Sequence, residues 1–159
     1  GKFFIHGNYN MAGYSQSIVG VSASVPFTNR VGYGIGYMFG EKDGPRLEGT
    51  IFTSGTYAAS GGNANLDEST LDFSWLFAIN PAWYWSLGLG LAPTNVYLQS
   101  ATTKTSNFGI GSFISAGYKF NDKFYFEGQM RADSSVTSSG FSTLAHNLVG
   151  LNLKLGYFF

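Results

Sequence analysis

The stretch 149–159 reads V-G-L-N-L-K-L-G-Y-F-F. Val149, Leu151, Leu153, Leu155, Tyr157 and Phe159 are large and apolar. Gly150, Asn152, Lys154 and Gly156 between them are small or polar, with Phe158 the exception. A repeat of two residues is the period of a β-strand whose two faces meet different surroundings. The sequence stops on this strand without a polar tail, and an unpaired strand edge is costly. The expectation is that the edge is closed by strand one, 2–13, as in a closed barrel.

The same alternation recurs along the chain. It is visible in 2–13, 30–39, 46–54, 70–79, 83–92, 106–120, 124–133 and the closing strand. Tight turns at 41–45, 80–82 and 121–122 carry Gly, Pro, Asn and Asp, the residues that turns favour. They alternate with longer Ser/Thr/Asn/Gly/Ala-rich segments at 14–29, 55–69, 93–105 and 134–146, expected to be loops. Short turns at one end and long loops at the other are the pattern of outer-membrane barrels. Three turns and four loops place both termini on the turn side. Residues 17–25 also alternate, and a ninth strand there would put the termini on opposite sides. Single-chain bacterial barrels have even strand counts. The expected fold is therefore one all-β domain over 1–159, an eight-stranded antiparallel up-and-down transmembrane β-barrel, with ten strands as the alternative. Residues 17–25 then belong to the first external loop as a hairpin arm beyond the membrane.

Composition agrees. Only 11% of residues are charged, against roughly a quarter in soluble domains. The net charge is zero, which supplies no field for nucleic acid. With no cysteine, disulfides and thiolate metal sites are excluded. No run of about 18 apolar residues offers a membrane-spanning helix. In lipid the remaining way to satisfy the backbone is a closed barrel. A secretory signal is expected to have been removed.

The charges separate by face. None of the 18 lies in an apolar row, and a charge facing lipid at mid-depth costs about 2–4 kcal/mol. Lys2, Arg46, Glu48, Asp72, Lys119, Glu127, Arg131, Asp133 and Lys154 fall on the opposite, inward face. An eight-stranded barrel is just wide enough for side chains to fill, so these groups are expected to pair inside. Inward glycines, Gly32, Gly34, Gly36, Gly88, Gly90, Gly109, Gly111 and Gly117, leave room for Phe4, Phe52, Tyr84, Phe113, Tyr125 and Phe158. At the turn end the outward rows carry an aromatic girdle that includes Phe3, Phe39, Trp83, Trp85, Phe120, Phe124, Tyr157 and Phe159, at the depth where such rings meet headgroups.

The segments G-Y-M-F-G-E-K-D-G-P-R-L-E-G (36–49), F-A-I-N-P-A-W-Y-W (77–85) and G-Y-K-F-N-D-K-F-Y-F-E-G (117–128) resemble the strand–turn–strand units of small outer-membrane barrels. The class is the OmpA/OmpX and opacity-protein group of Gram-negative bacteria. The terminal N-L-K-L-G-Y-F-F resembles its assembly signal, with Tyr157 and Phe159 matching and Lys154 where a Gly often stands. The resemblance covers the strands and not the loops. It implies the outer membrane and its lipid, and the barrel-assembly machinery acting through the last strand. It leaves any extracellular or host ligand unnamed. Barrels of this class serve as anchors, adhesins, small channels or lipid-modifying enzymes. A structural or surface-interaction role is the first reading and a small passive channel the alternative.

Chemistry-bearing residues are few, and neither cofactor nor resident metal is expected. His6 is expected as a hydrogen-bonded interior residue. Asp133, His146 and one of Ser138, Ser139 or Ser142 can be drawn as a triad, but serine is common there and spacing does not establish geometry. Asp67 and Glu68 beside Asn63 and Asn65 are the weak candidate for a divalent cation. G-Y-G-I-G-Y (32–37) opens no helix and is no nucleotide loop.

Overall fold

The computed structural model describes residues 1–18, 21–59, 62–101, 103–139 and 142–159, leaving aside the side chains of 18, 137–139, 142 and 143. Eleven strands lie among the described residues: β1 (Lys2–Ile18), β2 (Val21–Val25), β3 (Arg30–Met38), β4 (Gly44–Phe52), β5 (Gly55–Ala59), β6 (Gly62–Ala78), β7 (Trp83–Leu91), β8 (Thr94–Leu98), β9 (Thr105–Lys119), β10 (Phe124–Ser139) and β11 (Ser142–Phe158). Eight of them form an antiparallel ring in the order β1–β3–β4–β6–β7–β9–β10–β11. The ring shuts where β11 meets β1, from Phe4 opposite Phe158 to Ile18 opposite Leu144. The Phe159 N–H donates to the Phe3 carbonyl at 2.9 Å. The transmembrane barrel expected from the alternation is therefore the fold.

The long segments are not the irregular loops that their composition suggests. β1, β6, β9, β10 and β11 run on past the apolar band, and short strands add to them. β2 pairs only with β1, and β5 with β6, while β8 bridges β6 and β9. Of segment 17–25, β2 pairs with the outer end of β1, from Tyr14 opposite Val25 to Ile18 opposite Val21, as an arm outside the ring. The physical reason is that Ser, Thr, Val and Tyr pair as readily in water as in lipid. What ends at the membrane surface is the apolar outward row, not the hydrogen-bond ladder.

The turns at the other end are set by single side chains. Asn80 Oδ1 accepts from the N–H groups of Ala82 and Trp83 at 2.9 and 2.8 Å. Asn121 Oδ1 does the same for Lys123 and Phe124, both at 2.8 Å. Gly44 closes the third turn with φ +138°, a conformation that side chains resist.

Inward aromatics sit over glycines of neighbouring strands. A Cβ on Gly36, Gly32, Gly117, Gly88 or Gly156 would overlap the ring of Phe4, Phe52, Tyr84, Phe113 or Tyr125 respectively. Outward-facing Gly7 and Gly128 have nothing within 4 Å of that position. Gly117→Val should therefore destabilise the barrel by about 1–3 kcal/mol through overpacking. Gly128→Val should stay within about 0.5 kcal/mol of the unchanged protein. The midpoint of urea unfolding in detergent measures both.

Candidate functional site

The inward face carries two layers of charge. In the layer nearer the turns, register puts Glu127 opposite Lys154 and Glu48 opposite Asp72. Arg46 crosses the lumen and grips Glu127 with both nitrogens of its fork, at 2.7 and 3.1 Å. Its Nε donates to Ser74 Oγ at 3.1 Å, and the Tyr84 hydroxyl donates to the same carboxylate at 2.7 Å. Lys154 Nζ donates to Glu48 Oε1 at 2.5 Å and lies 3.8 Å from Glu127. Two-pronged pairing of this kind is the strong form of a charged hydrogen bond. It is what allows four ionised groups to stay out of water.

In the outer layer Arg131 donates to both oxygens of Asp72, at 2.6 and 2.8 Å, and through Nε to Asp133 at 2.7 Å. Arg30 reaches Glu68 at 3.1 Å and Asn10 Oδ1 at 2.9 and 3.0 Å. Asn10 continues to Asn152 and Asn152 to Gln129, at 2.6 and 2.8 Å. The Arg131–Asp72 and Arg30–Glu68 bridges join strands that are not neighbours and cross the lumen where a pore would need to be open, while the Asn10–Asn152–Gln129 chain runs along the wall between paired strands.

Apolar side chains close both ends. Phe4, Met38, Leu76, Tyr84, Tyr125 and Phe158 form a buried cluster on the turn side. Tyr14, Tyr57, Ala64, Leu66 and Leu148 form another on the external side, backed by Phe27, Val25 and Val96. Tyr57, Ala64 and Leu66 belong to β5 and β6, and the Tyr57 ring meets the Tyr14 ring of β1 with centroids 4.7 Å apart. Phe27 lies against Gly55 at the start of β5.

Seven of the nine residues expected in the interior network, Arg46, Glu48, Asp72, Glu127, Arg131, Asp133 and Lys154, are buried and joined as described. Lys2 and Lys119 are not. Lys2 is only half-buried, and Lys119 stands over the Tyr84 and Phe158 rings at the turn-side mouth. Neither forms an ion pair among the described residues, because the nearby apolar cluster separates them from the carboxylates. Arg30 and Glu68, read as strand-end and loop residues, are buried members instead. Counting in twos back from Gly32 and from Asp72 puts both inward. The signal was present, but the loop composition around it obscured it.

His6 is buried with Nε2 3.5 Å from Glu48 Oε1, and its ring nitrogens make no hydrogen bond among the described residues. That corrects the hydrogen-bonded histidine expected from sequence: register sets it beside Gly34 and Gly156, which offer no side-chain partner. Asp67 and Glu68 do not form a cation site. Adjacent strand residues face opposite ways, so Glu68 turns inward while Asp67 bonds outside to Ser54 and pairs with Lys104 at 3.6 Å. Among the described residues no group of three or more His, Cys, Asp or Glu could hold a metal ion. Of the drawn triad, Asp133 is engaged by Arg131 and His146 Nδ1 by the Tyr14 hydroxyl. Ser138, Ser139 and Ser142 lie outside the described side chains.

Outside, the rings cluster at the turn end. Phe3, Tyr37 and Phe39 meet edge to face, with centroids 4.8 and 4.9 Å apart. Trp83, Tyr118 and Phe120 form a second run, and Phe124, Tyr157 and Phe159 a third. Phe77 stacks on Trp85 at 4.4 Å.

No family model and no curated protein sequence matches the chain. Solved structures do. The chain is similar to the outer membrane protein OprG from Pseudomonas aeruginosa, at 15% identity and a TM-score of 0.60, covering 100% of this chain and 96% of that one. Neisserial surface protein A (NspA) matches at 13% and 0.58, over 96% and 95% of the two chains. The N-terminal β-barrel domain of Pseudomonas aeruginosa OprF matches at 14% and 0.53, over 98% and 97%. At these identities the likeness carries the fold: the chain has the architecture of the small eight-stranded outer-membrane β-barrels.

Proposed function

We propose that the chain is an integral protein of the bacterial outer membrane whose barrel is a closed anchor for external hairpins, neither a conducting pore nor an enzyme. The observation that carries this is the filled interior: two charge layers cross-linked over the lumen, with an apolar cluster beyond each. The outward rows, with Ile35, Ile51, Leu71, Leu89, Ile114 and Leu155 half or more exposed, suit lipid as the solvent of that face.

One side of what the anchor presents is uncharged, while Asp67 and Lys104 form an ion pair on the other. Residues 3–29 and 134–153 contain no Lys, Arg, Asp or Glu, and they include the wall β10–β11–β1–β2 that stands above the rim. A partner meeting that wall would be held by hydrogen bonds and apolar contact rather than by charge. The ring-closing strand β11, with Leu155 and Tyr157 on its outward row, is the candidate handle for the assembly machinery.

The test is refolding into detergent and then planar bilayers. Heat-modifiable migration on a gel, with no stable conductance step from the folded protein, is the expected result. A large, steady conductance would replace this reading with the channel.

A further inference from the structure

Two strand edges face each other above the rim. β1 gives one edge to β11 from Phe4 to Ile18. Its other edge goes to β3 as far as Asn10 and then, from Tyr14 to Ile18, to β2. β6 is shared in the same way by β4 and then β5. β2 and β5 therefore hang over β3 and β4 with a slot between them. The slot is stitched at its base. There the Thr28 N–H donates to the Thr56 carbonyl at 3.2 Å, and the Thr56 N–H donates to Thr28 Oγ1 at 2.9 Å. Beyond that point no pairing joins β2 to β5 among the described residues.

β2 reads V-S-A-S-V. Its register with Tyr14 turns Val21, Ala23 and Val25 to the face of the external cluster. Ser22 and Ser24 lie on the other face, where Ser22 meets the Ser17 hydroxyl at 2.9 Å. Residues 21–24 are exposed. On the side away from β1 their backbone groups have no partner among the described residues. Folded proteins blunt such an edge with lysine, proline, a bulge or a covering segment. β2 contains no charge and no proline, and its pairing with β1 runs without a bulge. An edge of this kind is a template for one more strand.

We propose that β2 is a strand-addition site for an extended, uncharged segment of a partner protein outside the membrane. The site rests on the external anchor proposed above and names what its uncharged wall takes. An extended chain is required, because only that conformation presents donors and acceptors at the spacing of the ladder. The segment is neutral, because residues 3–29 hold no charge to pair with and a charge set against Val21, Ala23 and Phe27 would lose hydration without gaining a partner. Its side chains alternate, small or apolar beside Val25 and polar beside Ser22 and Ser24. A second copy of the barrel does not fit. Two barrels in one membrane both point their β2 tips outward, so an antiparallel ladder would need one of them inverted. A parallel ladder fails as well, because barrel strands are tilted and edges that face each other across two barrels cross.

The probe is the peptide Val-Ser-Cys-Ser-Val with its thiol activated as a mixed disulfide. Its sequence reads the same in both directions, so in register its cysteine meets position 23 whichever way it runs. The chain has no cysteine, and Ala23→Cys supplies one exposed thiol. Heat-modifiable migration reports that the variant has folded in detergent. The peptide should label Ala23→Cys at least about tenfold faster than the same peptide with every amide N-methylated, which keeps the side chains and loses the ladder donors. Ser17→Cys is the control, because Ser17 has a strand on each side, at Ala145 and at Ser22. There the two peptides should label at equal, slow rates. Equal rates for the two peptides at position 23 overturn the proposal, and so does equally fast labelling at position 17. A disulfide-linked pair of barrels as the main product of Ala23→Cys in lipid vesicles overturns it in favour of a second copy. Bilayer conductance tests the closed anchor separately and does not enter the labelling rates.

Discussion

Arg46→Met should cost about 3–5 kcal/mol of barrel stability, the range for removing one partner of a buried ion pair. The methionine roughly fills the volume, so the loss comes from charge rather than from a cavity. Glu127 would keep the Tyr84 hydroxyl at 2.7 Å and Lys154 at 3.8 Å. It would lose both prongs of its strongest contact. Ser74 Oγ would lose its donor as well. The diagnostic part is the second substitution. Arg46→Met combined with Glu127→Gln removes the stranded charge and should recover more than half of the loss, because paired neutralisation of a buried ion pair is often close to neutral. Urea titration in detergent, followed by heat-modifiable migration, gives both values. If the double variant is as damaged as the sum of its parts, the two residues act independently and the network is not a unit.

The network also shows what alternation can and cannot reveal. Period two was enough to find the ring, since a strand with one face in lipid and one in a charged lumen has no ambiguity about which side is which. It placed Arg46, Glu48, Asp72, Glu127, Arg131, Asp133 and Lys154 on one surface. It did not find their partners, because who meets whom across a lumen depends on shear and on the reach of arginine and lysine. Arg46 and Glu127 are 81 residues apart and lie on strands that do not touch. The external end was read least well. Residues 55–69 and 134–146 lack an apolar outward row, and a rule that equates strands with such a row ends them at the membrane. Yet Ser134 to Ser139 pairs residue by residue with Ser142 to Asn147. The same rule assigns Glu68 to a loop, although it lies two positions from Thr70 and four from Asp72 on one continuous strand.

Ile114→Arg separates a lipid-facing surface from a water-facing one. Ile114 is 50% exposed and sits mid-height in β9 between Leu87 and Met130. In a bilayer the substitution should cost about 2–4 kcal/mol, whereas Ile79→Arg, next to the 80–82 turn, should cost about 0–1. Both residues are exposed and outward-facing, Ile79 one residue past the end of β6, and depth is the main variable that differs. Ser115, the next residue along, faces inward and pairs with Ser86 at 2.5 Å. Ser115→Ala should therefore cost about 0.5–1.5 kcal/mol whatever surrounds the barrel. A soluble barrel abolishes the first difference. In water an arginine at 114 gains hydration and loses little, and the two isoleucine variants become equivalent. The measurement is unfolding in lipid vesicles. A difference of less than about 0.5 kcal/mol between positions 114 and 79 would mean that the apolar rows do not meet lipid. The charge-free outward face would then need a protein partner to cover it.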